Sequence, residues 1–306
     1  MNESAPTLHQ PVLIGPVLDA ARGARRVVDA TLGHGGHAQA FRAAGAEVLG
    51  IDRDPDAIST ARARLGDDGV RYLTLAYDDP EALAAVHAFA PDFVLFDLGV
   101  SSRQLDRMER GFTFRPGAPL DMRMGGTGPT AADLLNLTSE AGLERLFADY
   151  GDERRSRSLA REVVRRRGRQ PLASSDDLVN AIRAVLGPRA GAPEFARLFQ
   201  AVRIGVNDEL GGLARALPGF RDALRAGGKL AVITYHSGED RLVKLAFREW
   251  ASACVCPPRQ PVCTCRGRAL GRVEPRKPIV PSESEIAANP RSRSAKLRIF
   301  QVAHAS

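Results

Sequence analysis

The stretch Arg26-Val27-Val28-Asp29-Ala30-Thr31-Leu32-Gly33-His34-Gly35-Gly36-His37 decides the fold. Its first half is a short apolar run ending in an acid, the pattern of a buried strand. Its second half is a glycine-rich turn that runs into a helix. Glycine lets a backbone approach a ligand closely, and the first turn of a helix offers N–H groups with no partner inside the helix. The same rhythm continues outward. Glu47-Val48-Leu49-Gly50-Ile51-Asp52 predicts a second strand, and Pro55 opens a helix through Leu65, proline being well tolerated in a first turn. Val70 to Ala76 predicts a third strand, Asp79 to Ala90 a third helix, and Asp92 to Leu98 a fourth strand. Strand and helix alternating in this way imply an α/β fold with a parallel, doubly wound, Rossmann-like sheet.

After Gly99 the rhythm changes. From Pro129 to Leu186 the apolar residues keep helical spacing and no strand stands out. Ser139 is the expected N-cap of a helix whose face carries Leu143, Leu146, Phe147 and Tyr150; Ser175 is expected to cap another, with Leu178, Val179, Ile182 and Val185 inward. The sheet resumes at Lys229 to Tyr235, after the helix-stopping pair Gly227-Gly228. Residues 1–109 and 193–306 are therefore expected to form one domain, interrupted by an all-helical insertion over 110–192. Leu242, Val243, Ala246, Phe247 and Trp250 predict a further amphipathic helix. Pro257 to Pro290 is expected as an extended loop and Ser294 to Val302 as a closing strand.

Composition narrows the partners. The chain has 306 residues, 44% hydrophobic and 26% charged, which is ample material for a globular core. Its formal charge of +7 is unevenly placed, and a clustered basic surface suits a polyanion better than a small acid. Arg154, Arg155, Arg157, Arg161, Arg165, Arg166, Arg167 and Arg169 crowd one helix and its exit; a second set, Arg266 to Lys277, is followed by Arg291, Arg293 and Lys296. Met1 to Gln10 lacks the apolar and basic regions of a signal peptide, and no run approaches the ~18 apolar residues of a membrane helix, so a cytoplasmic protein is expected.

The acid Asp52 follows the glycine turn by about 20 residues, where a carboxylate can grip ribose hydroxyls. Taken alone, the turn and the acid fit NAD, FAD or S-adenosylmethionine, or a tight turn with no ligand. NAD is disfavoured because the G-x-G-x-x-G spacing suited to a pyrophosphate is missing and no second nucleotide-binding half follows the fourth strand. S-adenosylmethionine has no phosphate to cradle. It needs an acid for its ribose, an apolar slot for adenine and oxygens near its sulfonium. Asp97 ends the fourth strand at the edge where ligands meet a parallel sheet, and Tyr77 could stack on adenine or cap the core.

Several distinctive segments follow one another along the chain: His9-Gln10-Pro11-Val12-Leu13, Gly33 to His37, Ile51-Asp52-Arg53-Asp54-Pro55, Asp97 to Ser102, Gly111-Phe112-Thr113-Phe114 and Pro119-Leu120-Asp121-Met122-Arg123-Met124. Further on come Phe199 to Ile204 with Asn207-Asp208-Glu209-Leu210, His236-Ser237 with Glu239-Asp240-Arg241, and Asn289 to Ser294. Together they resemble the bacterial small-subunit ribosomal RNA cytosine-N(4) methyltransferases, the RsmH/MraW family, and the resemblance spans almost the whole chain. It implies a Rossmann-like methyltransferase sheet with an inserted helical domain that helps to hold the substrate. Its implied product is N(4)-methylcytidine near the decoding centre of 16S ribosomal RNA. The implied cofactor is S-adenosylmethionine, its contacts falling on Gly35, Gly36, His37, Asp52, Tyr77, Asp97 and Gln104. Arg103 stands where the family often has proline, and Gly238 where leucine is usual; neither removes a group with obvious chemistry.

Cytosine's exocyclic nitrogen is a poor nucleophile, so an acceptor that orients its hydrogens would help. Asp97 is the candidate, unless the cofactor occupies it; His236 is a candidate proton shuttle or a structural histidine of a strand-end loop. For RNA phosphates the candidates are Arg154, Arg155, Arg165, Arg166, Arg291 and Arg293, against a solvated helix face with Glu153 and Glu162 as local partners. All four cysteines lie within Cys254 to Cys265, unlike a dispersed disulfide framework. Cys254, Cys256, Cys263 and Cys265 could hold zinc, but two Cys-x-Cys pairs depart from the usual C-x(2–4)-C spacing. No metal is therefore expected, free thiols or an oxidative disulfide being the other readings. The substrate is expected to be 16S ribosomal RNA within the small subunit, with the oligomeric state open and a homodimer among the options. A methyltransferase for another amino substrate and a non-catalytic RNA-binding or assembly factor are the alternatives.

Overall fold

A computed structural model of the protein describes residues 11–257, 260 and 262–304. His9 and Gln10, the start of the first quoted segment, lie outside these. In chain order the elements are α1 (Ile14–Ala20), β1 (Arg26–Asp29), α2 (Gly36–Ala43), β2 (Glu47–Asp52), α3 (Pro55–Leu65), β3 (Val70–Thr74), α4 (Pro80–Phe89) and β4 (Phe93–Asp97). There follow α5 (Ser102–Asp106), α6 (Ala131–Leu137), α7 (Glu140–Asp149), α8 (Ser156–Arg167), α9 (Ser175–Leu186), α10 (Ala192–Asn207) and α11 (Glu209–Ala223). The chain ends with β5 (Lys229–Thr234), α12 (Ser237–Trp250), β6 (Gly271–Val273), α13 (Glu283–Ala288) and β7 (Lys296–Val302).

The sheet has seven strands in the order β3-β2-β1-β4-β5-β7-β6. The first five are parallel to their neighbours; β7 runs antiparallel to β5 and β6. This is the doubly wound α/β sheet expected from the alternating pattern, with helices on both faces. One face buries Val28, Leu49, Val94, Phe96 and Val232 against Phe220, Phe247 and Trp250. The other buries Val27, Val48, Phe93, Leu95 and Ile233 against Val17, Phe41 and Ile58. Strands covered on both faces are apolar throughout, which is why they stand out in the sequence as runs. The antiparallel edge is β6, a three-residue strand within the stretch expected as loop, and α13 falls in that stretch too.

Two compact units divide the chain, residues 1–99 with 212–306, and residues 100–211. The second unit is wider at both ends than the insertion expected over 110–192. Its core explains why. Phe112, Leu120 and Met122 join it from the N-terminal side, and Phe195, Leu198, Phe199 and Val202 of α10 from the other. Those of α10 pack with Leu143, Phe147, Leu159 and Ile182, so α10 belongs with the helices. Two motifs lock this unit. Asn207 donates to the carbonyl of Met122 and accepts from the N–H of Met124, at 2.8 and 2.9 Å. Arg203 grips Glu209 with two bonds of 2.8 Å. Helix α9 is capped one residue earlier than expected: Ser174 and Asp177 form its capping box, while the Ser175 hydroxyl donates to the Arg115 carbonyl at 2.6 Å.

Among the described residues, no helix is long and apolar enough to cross a membrane.

Candidate active site

Three strands of the first unit, β1, β2 and β4, each end in aspartate: Asp29, Asp52 and Asp97. Because these strands are parallel neighbours, the three acids share the carboxyl edge of the sheet. The glycine turn is built onto the same edge. Asp52 accepts the Gly33 N–H at 2.8 Å with one oxygen and the Asp54 N–H at 2.9 Å with the other. Burial raises its pKa above the ordinary value, and those two N–H bonds oppose the shift. Asp52 thus holds the turn in place, and each oxygen keeps a second lone pair for a ligand hydroxyl.

Gly33 and Gly35 take positive φ angles of 52° and 75°, which favour glycine. Their surroundings differ. A Cβ on Gly35 would meet Leu65 at 2.8 Å, and one on Gly36 would meet Pro11 at 2.8 Å. Gly35 and Gly36, expected as cofactor contacts, therefore have a packing reason of their own to be glycine. Gly33 is less crowded: a Cβ there would meet the Thr31 carbonyl oxygen only at 3.9 Å, an ordinary contact.

Asp97 is the most heavily positioned group. Its N–H donates to the Thr31 hydroxyl at 2.6 Å, and one carboxylate oxygen accepts the Tyr235 hydroxyl at 2.8 Å. The other lies 3.6 Å from Nε2 of His37. His37, in the first turn of α2, is buried, and neither ring nitrogen has a hydrogen-bond partner. Burial and the adjacent Asp97 push the Tyr235 hydroxyl well above the ordinary range, so it stays a protonated donor. Asp29 is also buried; desolvation, offset in part by His37 and reinforced by Asp97, pushes its pKa up to about 7. Neither Asp29 nor Thr31 stands out in the sequence as a site residue, and Tyr235 stands out only as the end of the strand that resumes the sheet. The aspartates that end β2 and β4 are the available signal for Asp29 at the end of β1.

Tyr77 packs edge-on against Phe96, with ring centroids 5.4 Å apart. Gln104 belongs to the second unit, where its side-chain oxygen accepts the Ser101 N–H at 2.9 Å. His236 is the N-cap of α12. Its Nδ1 accepts the Glu239 N–H, and Glu239 returns a carboxylate oxygen to the N–H groups of Tyr235 and His236 at 2.8 and 3.3 Å. Its other nitrogen lies 3.2 Å from the second Glu239 oxygen. A histidine in a capping box has a structural task, one of the two roles its sequence context allows.

The arginine cluster also separates. Arg165 and Arg166 both bind Glu162, which they hold below the usual carboxylate range, and Arg166 also reaches the Asn180 carbonyl at 3.2 Å. Arg155 donates to the Val185 carbonyl near the end of α9, at 2.9 Å, and Arg167 to the carbonyls of Leu135 and Thr138. These four are tied into the helical unit. Arg154, Arg157 and Arg169 stand exposed, as do Arg291 and Arg293 in the short 3-10 turn Pro290–Ser294. The four cysteine sulfurs lie within 4.8 Å of one another.

The model of the MraW methylase family matches residues 6–303 of the chain. A protein of Gemmatimonas aurantiaca, "Ribosomal RNA small subunit methyltransferase H", is 55% identical over 302 residues, covering 97% of this chain and 96% of that protein. Proteins of the same name from Heliobacterium mobile and Rubrobacter xylanophilus are each 46% identical; they cover 96% and 95% of this chain, and 98% and 95% of their own lengths.

Proposed function

Because the chain belongs to the MraW methylase family, we propose that it methylates the exocyclic N(4) amine of a cytidine in 16S ribosomal RNA, near the decoding centre. It is an S-adenosylmethionine-dependent ribosomal RNA methyltransferase; the position of the methyl group and of the nucleotide are the finer part of the proposal. The setting we propose is the cytoplasm, with the 16S RNA within the small subunit as substrate.

The carboxyl edge of the sheet fits the cofactor on two observations. Asp29, Asp52 and Asp97 gather at one end; burial, reinforced by Asp97, pushes the Asp29 pKa up to about 7, and a ligand carrying a sulfonium and an ammonium would favour the ionised acids. Buried beside them, the ring nitrogens of His37 lack hydrogen-bond partners, a cost that a polar ligand relieves. Asp52 would hold ribose hydroxyls, the Gly33 turn would let the ligand approach the backbone closely, and Tyr77 would flank the adenine. When bound, the sulfonium supplies an already activated methyl group, leaving alignment and electrostatics to the protein.

The observation that carries the reading is the clamp on Asp97. An amino nitrogen that gains a methyl group loses a proton, and Asp97 is the acceptor this edge offers. The Tyr235 hydroxyl holds its carboxylate and the Thr31 hydroxyl holds its backbone N–H, so it needs little reorganisation as charge develops. Tyr235 itself cannot be the base, because its hydroxyl is held protonated far above neutral pH. The exposed Arg154 and Arg157 of the second unit supply phosphate contacts that carry no base specificity. The target base leaves its stack to reach the methyl group.

The test is transfer of labelled methyl from S-adenosylmethionine to unmethylated small subunits, naked 16S RNA and a protein control, followed by nucleoside digestion. N(4)-methylcytidine from the subunit or its RNA is expected, falling by about 100-fold or more in Asp97→Asn. Cofactor binding without any methylated nucleoside would overturn the proposal in favour of a non-catalytic RNA-binding role.

A further inference from the structure

The segment between α12 and β6 contains no helix or strand among its described residues. Around the cysteines its described apolar side chains are exposed: Val255 is 40% and Val262 70% exposed. Little hydrophobic burial therefore offsets the entropy of ordering that stretch. Yet the sulfurs of Cys254, Cys256, Cys263 and Cys265 converge. The separations are 3.8 Å for Cys254–Cys263, 3.9 Å for Cys256–Cys263, 3.5 Å for Cys263–Cys265 and 3.9 Å for Cys254–Cys265. All four atoms lie within 4.8 Å of one another.

These distances discriminate between chemistries. A disulfide needs sulfurs about 2.05 Å apart, and the close contacts are shared among several partners rather than resolved into two pairs. A zinc ion bound at about 2.3 Å by four thiolates places them on a tetrahedron with edges of about 3.8 Å. The measured contacts centre on that edge. A backbone N–H completes the pattern: Val255 donates to the Cys265 sulfur at 3.3 Å, which stabilises thiolate charge without competing for the metal. Arg266 and Arg268 follow directly in the sequence.

We propose that Cys254, Cys256, Cys263 and Cys265 bind one zinc ion as a closed, four-sulfur structural site. The two Cys-x-Cys pairs, which argue against zinc by spacing, reach the tetrahedron because the loop brings the second pair back onto the first. With four protein ligands there is no open position, so the ion takes no part in methyl transfer. It fastens the arginine-rich loop to the end of α12, where Arg266 already binds the carboxylate of Glu249 at 2.9 Å and the Ser252 carbonyl at 3.2 Å.

The full-length protein, purified without chelator, should contain one zinc per chain by elemental analysis. Its four thiols should resist a thiol reagent until chelator and denaturant are added. Cobalt exchanged for the zinc should give the visible absorption of a tetrahedral cobalt–thiolate centre. The fourfold Cys→Ser variant should lose the metal entirely, and its far-ultraviolet circular dichroism should stay unchanged because the sheet lies elsewhere. Less than a tenth of an equivalent of metal with four freely reactive thiols would overturn the proposal. So would two disulfides detected by mass in freshly prepared protein, or iron in place of zinc.

Discussion

Asp29 sits fully buried at the end of β1, where desolvation pushes its pKa from 3.8 up to about 7. An acid with a raised native pKa binds its proton more tightly when folded than when unfolded. Its contribution is therefore intact below pH of about 4 and is lost as pH rises towards 7. The gap between 3.8 and about 7 corresponds to a cost of roughly 4 kcal/mol once the group is ionised. A cationic ligand favours the ionised acid, so cofactor affinity runs the opposite way and rises with pH through 7. We expect Asp29→Asn to flatten the fall in unfolding free energy of the apoprotein between pH 4 and 7, and to weaken the rise of cofactor affinity with pH. Denaturant melts and binding isotherms at each pH measure both; parallel slopes in wild type and variant would remove Asp29 from the site. The glycines teach a related lesson at this scale. Their turn was legible, but the reason for Gly35 and Gly36 was not, because it depends on Leu65 and Pro11 arriving from other elements.

Helix α12 is the element on which the catalytic and structural readings of His236 part. As an N-cap, His236 is replaceable by any residue whose side chain accepts the Glu239 N–H. His236→Ala is expected to cost about 0.5–2 kcal/mol, and His236→Asn or His236→Ser to restore most of it along with methyl transfer. A proton shuttle predicts instead that Asn and Ser restore stability but leave single-turnover methylation low. Helix α8 divides in the same way. Charge reversal at Arg154 and Arg157 should weaken RNA binding and lower the salt slope by about 1 for each phosphate that is no longer neutralised. Neutralising Arg165 and Arg166 should act chiefly on the helix, through Glu162; an equal loss of RNA affinity from both pairs would contradict this division. The parallel strands were legible because burial on both faces writes them as apolar runs. Strand β6 was not, since Gly271-Arg272-Val273 has no pattern of its own and exists through its pairing with β7. The extent of the helical unit was hidden for a similar reason. Nothing local in α10 says which core its apolar face fills.

At the scale of the whole molecule, two separately cored units imply that ligands act unevenly on the chain. A ligand that binds only the folded state adds stability in proportion to the logarithm of its concentration over Kd, about 2.7 kcal/mol at a hundredfold excess. That stability is felt in the unit that makes the contacts. The acids, the glycine turn and His37 all belong to the first unit, whereas Gln104 belongs to the second. Peptide-resolved deuterium exchange, with and without S-adenosylmethionine, reads this directly. Exchange is expected to slow in the peptides covering residues 29–37, 50–54 and 95–99. The peptide that carries Gln104 tests the remaining residue that the family resemblance implies: no change there would remove Gln104 from the set. Uniform slowing across 100–211 would mean instead that the helical unit is stabilised as a whole by the cofactor. Adding 16S RNA to the loaded enzyme should then protect the peptides around Arg154 and Arg157 while leaving the protected edge of the sheet unchanged. Protection only at the sheet edge would place the RNA contacts elsewhere than on α8.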